Sequence, residues 1–446
     1  MTHTIGMISL GCAKNQVNAE HMLWLLRQAG YEISPDPDGA ELVIVNTCGF
    51  IESAKTEAID NILAMAQLKA EGRIQKILVT GCLAQRYQEE ILQEMPEVDG
   101  VLGTGSYFDV ANAVGQVLSG KRYKRFDDIN ADQSEDGRIL TTPEYYAYLK
   151  IAEGCDNHCA YCIIPKLRGK LRSRPIEELV KEAEQLAADG VKELIVVAQD
   201  TSRYGLDLYG ERKLAELLRQ LCRIDGLVWI RVHYLYPDEM SQELIDVLAN
   251  EPKIVKYLDI PIQHASDAIL KRMGRRTSNQ EIRQLIAKLR REIPDIALRT
   301  TFISGFPGET EEDHQILKDF VKDMEFERAG VFTYSPEEDT PAYGFADQIP
   351  EEVKERRRAE IMELQQEIAF AHSSAMEGRV LEAFIEGKVA DEDAYVGRTY
   401  MDSPDVDGLI FVNTDLSLMS GDFVRVRVTG ALDYDLIGEV EDEFTE

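Results

Sequence analysis

Long apolar runs are missing from this sequence of 446 residues, and the pattern of a secretory leader is not seen in its first residues. No stretch approaches the roughly 20 consecutive apolar residues that a transmembrane helix needs, so we expect no membrane association. Residues 1–5 show no basic region leading into an apolar stretch, so a signal peptide is not expected. The chain is too long for one compact core, and its 44% hydrophobic content is ordinary for globular proteins, which predicts roughly two to four domains.

Positive charge is also scarce. The chain has 49 Lys and Arg against 80 Asp and Glu, a formal net charge of −31. Proteins whose main task is to hold phosphate backbones need a surplus of basic side chains, so the balance argues against a nucleic-acid binder. It would suit a basic protein partner, although plain solubility explains the charge equally well.

Cysteine is rare as well, with seven in the whole chain. An odd number of cysteines in a large chain that is not expected to be secreted favours thiolate ligands in a reducing cytoplasm over disulfides, so we expect a cytoplasmic protein. Cys155, Cys159 and Cys162 fall within eight residues, spaced C-x3-C-x2-C. This spacing is far more specific than a lone C-x2-C pair.

Three thiolates this close can converge on one side of a metal centre and leave a fourth direction open. A closed zinc site takes four protein ligands, and an iron–sulfur cube is usually held by four thiolates. The triplet therefore predicts a cluster with one iron free to bind another molecule. The alternatives are three buried cysteines in a loop, or a zinc knuckle completed by His158.

Residues 1–120 are predicted to form an open parallel α/β domain. Short apolar segments alternate with amphipathic helices, which is typical of a parallel sheet covered by helices. The basic run at 121–125 and the polar stretch to residue 137 indicate a linker. We expect the strands at 5–10, 42–45, 74–80 and 98–102, and the helices at 18–29, 52–68, 83–95 and 108–118.

Three more cysteines follow the first three predicted strands of this domain. Cys12, Cys48 and Cys82 each stand beside a glycine at the carboxyl end of a strand, where open α/β sheets bind ligands. Any one of them alone is more typical of a packed core cysteine. Equivalent positions on three consecutive units predict a second three-cysteine cluster. The seventh cysteine, Cys222, lies among leucines on a predicted helix and is expected to pack in the core.

Residues 141–372 are predicted to form a partial (βα)6 barrel. The C-x3-C-x2-C loop follows the first strand, and polar or glycine-rich residues end the others, as expected at an active-site rim. The candidate cofactor-binding positions on this rim are Gln199, Asp200, Gly305 and Gly308. His264 is a further candidate, or a structural histidine. We expect the six strands at 148–152, 194–198, 228–232, 257–260, 297–303 and 330–334, and a long helix at 350–375.

Residues 375–446 change to short alternating strands separated by turns, which predicts a small antiparallel β-barrel. The strands are expected at 380–385, 394–400, 409–413, 423–429 and 437–440. This region holds 18 acidic and 5 basic residues, a net charge of −13. A barrel that binds RNA should present lysine and arginine to phosphates, so this one is expected to prefer a cationic protein.

The triplet, with Tyr161 just before its last cysteine, resembles the motif of radical S-adenosylmethionine enzymes. The wider run 154–175 is similar to the methylthiotransferase branch, and so are the segments 9–15, 46–48 and 80–82. The acidic barrel resembles the TRAM domain that ends those enzymes. The resemblance covers nearly the whole chain.

The resemblance implies a chemistry as well as a fold. The first triplet would hold the 4Fe–4S cluster that reduces S-adenosylmethionine to a 5′-deoxyadenosyl radical, and the second triplet would hold a 4Fe–4S cluster whose open iron carries the methylated sulfur. It also implies contacts to S-adenosylmethionine around Gln199, Asp200, Gly305 and Gly308. A reductant such as flavodoxin would supply the electron.

The negative charge of the barrel helps to distinguish between the branches of that family, which act on different substrates. It favours the branch that methylthiolates an aspartate in the twelfth protein of the small ribosomal subunit, because ribosomal proteins are basic. Methylthiolation of a tRNA adenosine is the alternative, and tRNA binding is not expected. Two further alternatives are a non-catalytic metal-binding scaffold for a basic partner and zinc in both sites. Arg168 and Arg174 are candidates for contacting the target aspartate, or structural ion pairs.

Overall fold

Two parallel sheets and a closed barrel follow one another along the chain. The computed structural model describes residues 3–131, 137–390 and 392–441. No helix in these ranges is both long and apolar enough to cross a bilayer. Four short 3-10 helices occur among them, at Tyr107–Asp109, Thr201–Arg203, Pro237–Glu239 and Pro341–Gly344.

The first sheet has six parallel strands in the order β2-β1-β3-β4-β5-β6. Its central strand β3 is buried along its whole length, which explains the uninterrupted apolar run there. The strands are β1 (Thr4–Ser9), β2 (Glu32–Ser34), β3 (Leu42–Thr47), β4 (Lys76–Gly81), β5 (Gly100–Leu102) and β6 (Tyr123–Arg125). The helices are α1 (Ala13–Gln28), α2 (Glu52–Ala70), α3 (Cys82–Tyr87), α4 (Glu89–Glu94) and α5 (Val110–Leu118).

Three details of this sheet differ from the sequence prediction. β6 lies where a linker was expected and pairs with β5, so the sheet continues past residue 120. β2 was missed, because its three residues, none of them buried, carry no alternating apolar pattern. The single helix expected at 83–95 is divided into α3 and α4 at Gln88, whose φ is +46°. The linker prediction also covers 132–136, which lie outside the described residues.

The second sheet has six parallel strands in the order β7-β10-β11-β12-β13-β14, and a two-stranded ribbon β8-β9 beside it. β7 and β14 are the two ends and do not pair, so the barrel is open, as predicted. The strands are β7 (Tyr146–Lys150), β8 (Ala152–Glu153), β9 (Arg172–Ser173), β10 (Glu193–Val197), β11 (Trp229–Val232), β12 (Ile254–Asp259), β13 (Ala297–Ser304) and β14 (Arg328–Thr333).

Helices cover the outside of this open barrel and enclose the largest apolar core with it. Two of the helices, α12 and α13, begin with capping boxes, at Ser278 with Glu281 and at Thr310 with Asp313. The helices are α6 (Ile164–Arg168), α7 (Ile176–Ala188), α8 (Leu206–Tyr209), α9 (Leu214–Leu221), α10 (Gln242–Asn250), α11 (Asp267–Arg272), α12 (Asn279–Glu292), α13 (Glu311–Met324) and α14 (Glu351–Ser374).

A closed five-stranded barrel follows, in the order β15-β16-β17-β19-β18. Its pairs are antiparallel except β17 with β19, which run parallel, so the expectation of a wholly antiparallel barrel was wrong in that pair. Its strands are β15 (Val380–Lys388), β16 (Ala394–Arg398), β17 (Ile410–Asn413), β18 (Phe423–Leu432) and β19 (Asp435–Val440). The division of the chain into domains at 1–120, 141–372 and 375–446 stays a prediction.

A buried ion network joins the small barrel to the open one. Arg398 of β16 donates to Glu193 of β10 at 2.6 Å, and Arg231 of β11 donates to the same carboxylate at 2.8 Å. Arg398 also reaches Glu386 at 2.6 Å. Burial alone would raise the pKa of Glu193, but the charges of Arg398 and Arg231 outweigh burial and hold that pKa below its ordinary value.

Replacing Glu193 with alanine is expected to loosen this junction. Two guanidinium groups then lose a buried counter-ion, which typically costs about 3–5 kcal/mol. Thermal unfolding and limited proteolysis should show a lower first transition and earlier release of the small barrel. Glu441→Ala removes a carboxylate paired with the exposed Arg425 and is the control, with about 1 kcal/mol or less expected. Equal losses of stability in the two variants would contradict a role of this network in joining the two barrels.

Candidate metal centres

Cys12, Cys48 and Cys82 lie at one edge of the first sheet. They follow β1, β3 and β4, which are neighbours in the sheet and parallel, so their carboxyl ends meet. Cys12 precedes α1 and Cys82 begins α3. Cys12 is exposed, Cys48 is half-buried and Cys82 is buried.

The three glycines beside these cysteines allow the loops to touch. An ideal Cβ added to Gly11 would lie 2.8 Å from the Cβ of Cys48, and one added to Gly81 would lie 2.4 Å from the carbonyl oxygen of Thr47. At Gly49 the added atom would meet the backbone amide nitrogen of Leu83, in the first turn of α3, at 2.8 Å. No larger residue fits at these positions without moving a cysteine loop.

Gly81→Ala is therefore expected to deform this edge. Gly81 has φ +93° and ψ −158°, a region that is essentially restricted to glycine, so alanine there costs about 1–3 kcal/mol in addition to the clash. We expect iron bound after anaerobic reconstitution to fall by about half, with the other triplet still loaded. Gly72→Ala is the matched control, because Gly72 also has a positive φ but nothing lies within 4 Å of its added Cβ. Full iron in Gly81→Ala would contradict this expectation.

Asn15 ties the same loops together. Its side-chain amide donates to the carbonyl oxygens of Leu10, at 2.8 Å, and Thr47, at 3.3 Å. Its Oδ1 accepts from Nη2 of Arg168 at 2.8 Å, and the same guanidinium donates to Sγ of Cys82 through Nε at 3.3 Å and Nη2 at 3.2 Å. The first sheet and α6 of the open barrel thus meet at this triplet.

The thiols of this edge influence one another's protonation. Burial, together with the neighbouring Cys82 and Cys12, raises the pKa of Cys48 to about 12. Burial also raises the pKa of Cys82, although the charge of Arg168 opposes the rise. The metal-free thiols of Cys48 and Cys82 are therefore protonated at neutral pH, and a metal has to displace protons to bind them.

Cys155, Cys159 and Cys162 lie on the loop between β8 and α6, beyond the carboxyl end of β7. Cys155 donates its backbone N–H to Gly169 at 3.1 Å, and Cys162 donates to the carbonyl of Cys159 at 3.0 Å. Burial, with Asp200 and Cys159, raises the pKa of Cys155 to about 11. Burial and the two other thiols also raise the pKa of Cys162.

Cys159 has polar neighbours of its own. Its Sγ lies 3.7 Å from the hydroxyl oxygen of Tyr236, and the guanidinium of Arg275 stacks 3.8 Å from the centre of that ring. Each cysteine triplet therefore has a buried arginine near one of its sulfurs, Arg275 here and Arg168 at the other triplet.

The donor sets fit iron–sulfur clusters better than single metal ions. Within the described ranges, no three His, Cys, Asp or Glu side chains come close enough to hold one ion. A zinc ion would need its thiolates about 2.3 Å from one centre, whereas the thiolates of a cluster bind separate irons. His158, the proposed fourth zinc ligand, is exposed. The zinc alternatives gain no support from this geometry.

The predicted contact of Gln199 with S-adenosylmethionine stays a prediction, and its side chain has an acceptor to offer. Its Nε2 donates to Glu153 at 2.6 Å, while its Oε1 is buried without a partner, so an acceptor is available there for an ammonium group. Asp200, unlike the Oε1 of Gln199, has protein partners for its carboxylate, which accepts from Asn157 at 2.6 Å and from Ser202 at 2.5 Å. Asp200 thus anchors the cysteine loop to the end of β10.

Gly305 and Gly308 are positioned by protein contacts. Their backbone amides donate to Glu309 Oε2 at 2.7 Å and to the carbonyl of Asp347 at 2.9 Å, respectively. Their contact with S-adenosylmethionine stays a prediction. His264 is fully buried, and its Nδ1 accepts from the backbone N–H of Ser266 at 3.0 Å.

Sequence reasoning missed the importance of Glu153. Its carboxylate accepts from Gln199, from Lys150 at 3.1 Å and from Arg168 at 3.3 Å, so it connects the two triplets' surroundings. The acid directly before the C-x3-C-x2-C loop was the available signal. Arg174, a candidate for contacting the target aspartate or for a structural ion pair, forms an ion pair with Glu182 at 2.7 Å.

A cavity of about 600 Å³ is lined in part by residues that lie close in sequence to each of the two triplets. Phe50, two residues after Cys48, lines one wall, and Tyr161, next to Cys162, lines another. Further lining comes from the last two barrel strands, including Thr301, Ile303 and Phe332.

Family models match three parts of the chain. Residues 4–103 match the uncharacterized protein family UPF0004, residues 149–321 match the radical SAM superfamily, and residues 378–440 match the TRAM domain. A solved structure of a radical S-adenosylmethionine methyltransferase, TsrM from Kitasatospora setae with cobalamin and a 4Fe-4S cluster bound, shares the fold. Its TM-score is 0.54 at 15% identity, and the match covers 77% of each chain.

Several curated relatives match from end to end. One from Lachnoclostridium phytofermentans is 58% identical over 98% of this chain and 100% of its own, and one from Pelotomaculum thermopropionicum is 51% identical over 98% of both. Both are named ribosomal protein uS12 methylthiotransferase RimO, and radical S-adenosylmethionine methylthiotransferases carry S-adenosylmethionine and 4Fe–4S clusters. This chain belongs to the RimO family of methylthiotransferases, which are radical S-adenosylmethionine enzymes.

Proposed function

We propose that this chain adds a methylthio group to the β-carbon of an aspartate in ribosomal protein uS12. The observation that carries the proposal is the pair of cysteine triplets, with a cavity whose walls include a residue close in sequence to each triplet. A segment of substrate in that cavity would lie against Phe50 on one side and Tyr161 on the other. The end-to-end relatives named for this reaction support the same substrate.

Removing hydrogen from an unactivated carbon needs a radical, which a 4Fe–4S cluster with S-adenosylmethionine supplies when bound. Cys155, Cys159 and Cys162 would hold that cluster, and Gln199 would accept from S-adenosylmethionine through its buried Oε1. Cys12, Cys48 and Cys82 would hold the second cluster.

The surface of the small barrel supports a basic protein substrate over RNA. Part of its negative charge faces the open barrel, since Asp402 pairs with Arg328 at 2.6 Å and Asp407 with Arg299 at 3.3 Å. The exposed charges are nevertheless mostly acidic, and such a surface attracts a cationic partner and repels phosphates. In the described part of 375–446 they are the acids Glu377, Glu382, Glu392, Asp393, Asp405, Asp415, Asp433 and Glu439, and the bases Lys388, Arg425 and Arg427.

The test is an anaerobic assay with the reconstituted full-length chain, S-adenosylmethionine and a reductant such as flavodoxin. Three acceptors are compared: isolated uS12, assembled small subunits and unmodified tRNA. Mass spectrometry should find one methylthio group in place of one hydrogen on an aspartate of uS12. A chain with all of Cys155, Cys159 and Cys162 changed to alanine is the negative control.

Modification of tRNA adenosine instead would keep the chemistry and refute the substrate. The same assay at rising salt tests the charge argument, because exposed opposite charges are screened beyond a Debye length of about 8 Å at 0.15 M salt. We expect the rate with uS12 to fall as salt rises. A rate independent of salt would remove the acidic barrel from the account.

A further inference from the structure

Arg168, together with Glu153, joins the surroundings of the two triplets. It is 3% exposed and ends α6, the five-residue helix that starts two residues after Cys162. Its guanidinium donates to Sγ of Cys82 through two nitrogens, at 3.3 and 3.2 Å. It also donates to Asn15 at 2.8 Å and to Glu153 at 3.3 Å.

The position of this guanidinium is fixed by packing as well as by hydrogen bonds. Cys82 packs in a small apolar cluster with Ile163 and Leu167, which are close to Arg168 in sequence, and with Phe50. The hydroxyl of Thr104 also donates to the carbonyl oxygen of Leu167 at 2.6 Å. α6 is thereby held against the start of α3, which places Arg168 beside the sulfur of Cys82.

In this contact a permanently charged side chain, Arg168, donates to a sulfur that would bind the cluster. An arginine stays charged at all relevant pH values, and its planar fork can donate two hydrogen bonds to one acceptor. Hydrogen bonds to the sulfurs, net charge and solvent exposure set the reduction potentials of iron–sulfur clusters. A buried donor cation stabilises the reduced form more than the oxidised form, because the reduced form carries one more negative charge.

We propose that Arg168 is a positioning residue of the second triplet that raises the reduction potential of the cluster held there through its two hydrogen bonds to Cys82. The inference rests on the proposed assignment of Cys12, Cys48 and Cys82 as cluster ligands. Glu153 limits the effect, since its carboxylate partly balances the guanidinium. Glu153 also holds Gln199, so the same carboxylate touches the predicted S-adenosylmethionine contact.

The experiment measures a potential and a spectrum instead of turnover. The full-length chain with Cys155, Cys159 and Cys162 changed to alanine leaves the second triplet alone, and it serves as the parent. Arg168→Gln and Arg168→Lys are made in it, reconstituted anaerobically, and titrated with electron paramagnetic resonance detection. Lys166→Gln is the matched control, because it removes one positive charge from the same helix at a side chain that is 58% exposed.

The expected result is a more negative midpoint potential in Arg168→Gln and a smaller shift in Arg168→Lys, with Lys166→Gln equal to the parent. Unchanged potential and spectrum in Arg168→Gln would overturn the proposal. If Arg168→Gln binds no iron, Arg168→Lys decides: a lowered potential supports the proposal, and an unchanged potential or lost iron overturns it. A parent without any cluster spectrum would instead refute the ligand assignment itself.

Discussion

Cleavage of S-adenosylmethionine is expected to fall to the enzyme-free background when Cys159 is replaced by alanine. Cys159 is buried at the centre of the C-x3-C-x2-C loop, and only three cysteines are available there to hold the cluster. Two remaining thiolates would leave it without enough ligands. Release of 5′-deoxyadenosine and methionine, measured under anaerobic conditions with reductant, reports the loss.

Cys222→Ala is the matched control for this prediction. Cys222 is the one cysteine outside both triplets, half-buried at the end of α9 and packed against the main core. Its loss is expected to leave cleavage unchanged within a factor of about two, since a small core substitution far from the rim affects stability before chemistry. Cleavage that survived in Cys159→Ala, or vanished in Cys222→Ala, would contradict the assignment.

Cys48→Ala is expected to abolish methylthiolation without abolishing cleavage of S-adenosylmethionine. Methylthiolated uS12 should drop below detection, while cleavage of S-adenosylmethionine continues, because the C-x3-C-x2-C loop is built on the open barrel and Cys48 on the first sheet. The alanine side chain also fits beside Gly11, whose neighbour is the Cβ of residue 48. Product and cleavage are measured in the same reaction by mass spectrometry and chromatography.

Two outcomes of that experiment would count against the two-site account. Full methylthio product from Cys48→Ala would show that the second triplet is not needed. Complete loss of cleavage, with the protein folded, would show that the two triplets do not act separately. A thermal unfolding curve of the variant distinguishes folding failure from either result.

The strands of the two sheets were predictable because their chemistry is local. Parallel strands buried on both faces require uninterrupted apolar runs, such as that of β3, and such runs are visible in sequence. β6 was not predictable, because Tyr123–Arg125 belongs to the basic run 121–125. It gains strand structure only by pairing with β5. The break at Gln88 depends on one positive φ, which no periodicity reveals.

The two triplets were predictable for a related reason. A spacing such as that of Cys155 and Cys162 is itself a local pattern, and the other three cysteines share the strand-end position that parallel sheets bring together. The contact of Arg168 with Cys82 joins residues 86 positions apart, so only the packed structure reveals it. Likewise, part of the acidity of the small barrel proved to face Arg398, Arg328 and Arg299.

The central claim is that two separate cysteine triplets each hold their own cluster, and iron content tests it most directly. After anaerobic reconstitution we expect about eight irons per chain, as two 4Fe–4S clusters require. Changing either Cys12, Cys48 and Cys82 or Cys155, Cys159 and Cys162 to alanine should leave about four. A triple variant that kept all of its iron, or lost all of it while folded, would contradict the account.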